Sequence, residues 1–139
     1  MHHVSIRTAE IHRAIAFYEQ LGFQVCERFT AGFTLACWLE GSQGRLELIQ
    51  IPEPKPAPDA FGDEHYVGYY HLSFDLTGQT DNLNHWLAKL QSQFEANPDL
   101  PPLQVLLSPR QQQIGAQIYE VLFLADADGL PLEFLRRMD

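Results

Sequence analysis

Hydrophobic and polar positions alternate in several short runs of this chain and recur at helical spacing in two longer ones. Residues 2–7 alternate with period two, the pattern of a strand with one covered face. Ile11, Ile15, Tyr18 and Leu21 follow at helical spacing, with Thr8 as the expected N-cap and Gly22 just past the end. Extended runs come next at 23–29, 33–40 and 45–51, punctuated by Gly32 and by Gly41-Ser42-Gln43-Gly44. The same order then restarts. Residues 68–76 alternate, and Thr80 or Asp81 is expected to cap a helix carrying Leu83, Trp86, Leu87 and Leu90. Further strands are expected at 103–107, 117–124 and 130–136, with Asp126-Ala127-Asp128-Gly129 as a hairpin turn.

The two series are offset by about half of the 139 residues, as shown by His3 against His71 and Thr8 against Thr80. That offset predicts an internal duplication of a βαβββ module. Module one covers about 1–51 and module two about 68–139, within one domain. Residues 52–67 between them are Pro-rich and read as an extended connection, with Phe61, His65 and Tyr66 available to fold inward as a lid. The stretch 94–115, with its Arg110-Gln111-Gln112-Gln113 run, reads as a solvated loop.

Composition sharpens the functional class. Hydrophobic residues at 45% and aromatic residues at 12% exclude a disordered chain. A formal charge of −9 disfavours nucleic acid and anionic membrane, which select basic patches. No secretory signal is visible and no apolar run approaches the roughly 20 residues of a membrane-spanning helix, so a cytoplasmic protein is expected. Cys26 and Cys37 fall in apolar strand-like runs and read as reduced, half-buried thiols.

The strand period decides which side chains share a face. His3, Ser5 and Arg7 share one face, with His2 pointing opposite His3. Tyr69, His71, Ser73 and Asp75 share another. Glu47 opposes Leu46 and Leu48, and Glu133 opposes Leu132 and Phe134. One carboxylate between two apolar neighbours can belong to an exposed edge strand. Two of them, each closing its half, paired with two histidines that each open a half, point to a common task. Two neutral imidazoles and two carboxylates suit one divalent ion such as Ni, Zn, Co, Mn or Fe, with positions left for water or substrate. His12 and His85 lie off the apolar stripes of their helices and are expected in solvent.

These stretches resemble the vicinal oxygen chelate superfamily of glyoxalase I, extradiol dioxygenases and bleomycin resistance proteins. The matching residues are His3 to Arg7, Arg13 to Phe23, Leu46-Glu47-Leu48, His71 to Asp75 and Asp126 to Phe134. The order His/Glu/His/Glu is most similar to bacterial glyoxalase I. Departures are Tyr70 in place of the usual Gly, and Ala127 in place of the usual Pro. The resemblance implies an α+β fold in which two βαβββ modules form a curved mixed sheet around a central metal cleft. It implies His3, Glu47, His71 and Glu133 as metal ligands. Arg7 matches a position that contacts a substrate carboxylate, and Tyr69 and Ser73 are further candidates for substrate contact. The implied activity is a lyase or isomerase on a small molecule with vicinal oxygens, through an ene-diolate, with Glu133 or Glu47 moving the proton. An Fe(II) catechol dioxygenase using His3, His71 and Glu133, and a non-catalytic binding module, are the alternatives. A homodimer is the implied assembly.

Overall fold

In a computed structural model, which describes residues 1–138, the chain forms two four-stranded mixed sheets, each with one main helix. This is the expected α+β arrangement of two βαβββ modules, and neither sheet closes into a barrel. The chain divides into two compact units, Met1–Ala57 and Pro58–Asp139.

The first unit holds β1 (Val4–Thr8), α1 (Ile11–Gln20), β2 (Gln24–Ala31), β3 (Thr34–Gly41) and β4 (Gly44–Gln50), in sheet order β1-β4-β3-β2. β1 runs parallel to β4 and the other pairs are antiparallel. Ile11, Ile15 and Tyr18 of α1 are buried, as are Leu39, Leu46 and Leu48 of the sheet. The apolar faces read from the sequence are therefore the core, and they leave Ser5, Trp38 and Glu47 on the other side.

The second unit repeats the plan with β5 (Leu72–Asp75), α2 (Leu83–Glu95), β6 (Val105–Ile114), β7 (Gln117–Ala125) and β8 (Pro131–Arg137), in order β5-β8-β7-β6. Leu83, Leu87, Leu90, Leu122, Leu124, Leu132 and Phe134 fill its core. The Asp126–Gly129 turn forms as expected. The Asp126 carboxylate accepts from the backbone N–H of Asp128 and of Leu130, both at 2.9 Å, and Gly129 takes φ +89°.

Several local expectations need correction. Thr8 is the last residue of β1, and α1 is capped by Glu10, whose carboxylate accepts from the N–H of His12 (3.1 Å) and Arg13 (2.7 Å). Asn82, not Thr80 or Asp81, caps α2 by accepting from the N–H of His85 at 3.0 Å. In both halves the threonine sits two residues earlier and its hydroxyl accepts from the capping residue's own N–H. The Arg110-Gln111-Gln112-Gln113 run is strand, not loop, because it pairs with β7 across the Gly115 turn. His3 and His71 each stand one residue before their strand, and β5 is too short to include Tyr69 or Tyr70. Cys26 is exposed, not half-buried: it lies at the register shift between Val25 and Glu27, where a bulge takes it out of the alternation.

Candidate functional site

Both carboxylates sit in the same local frame. Glu47 on β4 lies between Ser5 of β1 and Trp38 of β3, and Glu133 on β8 lies between Ser73 of β5 and Phe123 of β7. The Ser5 hydroxyl donates to Glu47 Oε1 at 2.8 Å, and the Ser73 hydroxyl donates to Glu133 Oε1 at 2.6 Å. His3 Nε2 stands 3.5 Å from Glu47 Oε1, and His71 Nε2 stands 3.6 Å from Glu133 Oε1. The repeat thus delivers one His/Ser/Glu cluster twice. Parallel pairing of the first and last strand of each module causes this, since it fixes serine beside glutamate and the histidine two residues before.

The third neighbour breaks the repeat. Trp38 donates its indole N–H to Glu47 Oε2 at 2.9 Å, whereas the Phe123 ring has no N–H to give Glu133. Burial pushes the Glu47 carboxyl up. The hydrogen bonds from Trp38 and Ser5 and the nearby His3 outweigh that, so it ends below the usual carboxylate range. Strand alternation alone does not place Trp38 beside Glu47. A signal for it exists: a two-residue turn between paired Gly41 and Gly44 sets Trp38 opposite Glu47.

His2 does not point away from His3. Their Nδ1 atoms are 2.8 Å apart, because both residues precede β1 and escape its alternation. Arg45 reaches His2 Nε2 at 2.6 Å. Arginine only donates, so His2 Nε2 is the acceptor of that contact. In the other half His71 Nδ1 is buried with no hydrogen-bond partner among the described residues, a feature rare in a purely structural histidine. Its ring packs edge-on against Phe123, with centroids 4.9 Å apart.

The pairs fit a metal in donor type and spacing. Two donors each about 2.1 Å from one divalent ion stand roughly 3.0–3.4 Å apart, close to the distances in both halves. Among the described residues no group of three or more His, Cys, Asp or Glu is placed to hold an ion, so each half supplies a pair.

Of the other candidates, Ser73 touches Glu133 as described. Arg7 is exposed on β1, on the same face as Ser5. Tyr69 is fully exposed. It lines an open cleft of about 310 Å³ in the second unit, with Phe61, Asp63, Glu64, Tyr66 and Tyr70. Phe61 and Tyr70 anchor this segment on Phe123 at ring distances of 5.3 and 6.1 Å. Part of the Pro-rich connection therefore folds back on its own sheet. Among the described residues the cleft lining carries two carboxylates and no basic group, which favours neutral or cationic ligands.

The family model for the Glyoxalase/Bleomycin resistance protein/Dioxygenase superfamily matches residues 1–134. A glyoxalase family protein from Enterococcus faecalis is similar in structure, with TM-score 0.73 at 22% identity, covering 97% of this chain and 95% of that one. A glyoxalase family protein from Bacillus cereus is similar with TM-score 0.67 at 15% identity, over 100% and 94% of the two chains. A glyoxalase/bleomycin resistance protein/dioxygenase from Alicyclobacillus acidocaldarius gives 0.62 at 18% identity, over 99% and 90%. At these identities the likeness is one of fold. No curated protein matches the chain.

Proposed function

We propose, on the premise that this chain belongs to the Glyoxalase/Bleomycin resistance protein/Dioxygenase superfamily, that it is a metal-dependent lyase or isomerase of the glyoxalase I type. His3, Glu47, His71 and Glu133 are its proposed ligands for one divalent ion, and a homodimer in the cytoplasm its proposed working form. The observation that carries this reading is the twofold recurrence of the same cluster, His3/Ser5/Glu47 and His71/Ser73/Glu133, at nearly equal distances. Duplication alone would copy any residue, but here each copy holds its carboxylate, serine and imidazole together in one cluster of metal-donor types.

When bound, the ion supplies Lewis acidity toward two neighbouring oxygens of the substrate. The chain's own residues do the rest. Ser5 and Ser73 hold one oxygen of each carboxylate in place. Glu133, whose second oxygen faces no donor on β7, is suited to take a proton from one carbon and return it to the next. Arg7, on the Ser5 face, is the proposed contact for an anionic substrate group.

Elemental analysis of tag-free protein tests the reading. About one divalent ion per chain is expected, lost in both Glu133→Ala and His71→Ala. Nickel, cobalt or zinc would direct assays to thiol adducts of α-ketoaldehydes, and iron to catechols. Wild-type protein that stays metal-free after reconstitution would overturn the enzymatic reading.

The cleft supports a second reading, a small-molecule-binding module that works without metal. Its four aromatic side chains and two carboxylates suit an organic cation. Metal-free protein that binds benzyltrimethylammonium, and loses it in Glu64→Gln, would favour this account.

A further inference from the structure

We infer that Trp38 is a positioning residue that anchors Glu47, so that a duplicated module presents two unequal carboxylates. The inference rests on the metal reading above and assigns a role to a residue outside the ligand set. In each half the histidine and the serine address the same oxygen, Oε1. The state of Oε2 therefore distinguishes the two carboxylates. In the first unit it accepts from the Trp38 indole at 2.9 Å. In the second the register-equivalent residue is Phe123, a ring without a donor.

Trp38 is itself held on several sides. Phe29 packs edge-on at 5.4 Å, His2 at 4.9 Å, and His3 lies tilted at 5.8 Å. The Arg45 guanidinium stands 5.5 Å from its ring centre. An indole fixed this way offers its N–H at one place, and turning Glu47 would cost it both that bond and the one from Ser5. Glu47 can present Oε1 to an ion only while Oε2 stays tied, which makes it a one-oxygen ligand of fixed direction. Glu133 has Ser73 and His71 at Oε1 as well, but on β7 it faces Phe123, so among the described residues the counterpart of the Trp38 anchor is missing. Hydrogen bonds of this kind orient a ligand without touching the metal, and their loss typically costs about 10–100-fold in affinity.

A cycle of substitutions tests this with cobalt(II) as the probe, its affinity read by competition with a chromophoric chelator. Trp38→Phe keeps the ring and removes the donor. It is expected to weaken cobalt binding about 10–100-fold in the wild-type chain and equally in a Glu133→Gln background. In a Glu47→Gln background it is expected to change affinity less than about threefold, because the carboxylate it orients is gone. Trp38→His, which restores a ring N–H, is expected to recover part of the loss. A loss of the same size in all three backgrounds would show general damage to the fold and overturn the inference. So would an unchanged affinity in Trp38→Phe. Wild-type protein that binds no cobalt would overturn the metal reading, and this inference with it.

Discussion

Neighbouring side chains on β3 experience different surroundings. Cys37 is buried, while the next residue, Trp38, faces the cluster of Glu47 and His3. Burial raises the Cys37 thiol, with Arg28 opposing only in part, so little thiolate is present near neutral pH. Cys26 is exposed at its bulge. Iodoacetamide at neutral pH is expected to add one carbamidomethyl group quickly, at Cys26, and a second only under denaturant. Peptide mass spectrometry reads both, and fast labelling of Cys37 in the native protein would contradict the burial. At this scale the sequence reveals Glu47 and Glu133, because a carboxylate between two core positions has few innocent explanations. It does not reveal Trp38, whose partner is chosen by cross-strand register. Alternation misplaces His2, because the period does not extend back beyond the start of β1.

The elements are legible wherever one face is buried, because burial imposes the period that the sequence displays. β6 escapes the pattern for the converse reason. Its Gln-rich half is exposed on both faces, and pairing with β7 alone makes it a strand. The helix starts differ from expectation because Glu10 and Asn82 compete with threonines that lie two residues before them. Glu10 also gains from placing a negative charge at a helix N-terminus. Close packing between elements gives a sharper test. A Cβ built on Gly41, at the end of β3, falls 2.7 Å from the ring of Phe23. That ring is buried and packs edge-on against Tyr18 at 5.9 Å. Gly41→Ala is therefore expected to destabilise by about 1–3 kcal/mol, seen as a lower urea midpoint with an unchanged slope. An unshifted midpoint would mean that Phe23 yields freely.

For the molecule as a whole, duplication is the most legible property, since a repeated order of elements survives after residue identity has faded. Net charge acts at the same scale. At −9 the chain repels polyanions at long range, so it is expected to pass unretained through DNA–cellulose at about 50 mM salt. Retention would require a basic patch that the formal charge conceals. The open ends of the two sheets carry a different consequence. β6 is an outermost strand of ten residues, with exposed Ile114 near its tip and exposed Ile118 just across the turn. An edge of that length is a template for adding further chains. Pro109, which has no N–H, and the register shift between Leu107 and Arg110 interrupt it midway. The colloidal stability of concentrated solutions, a matter remote from any metal or substrate, then depends on one imino acid and one misaligned pair.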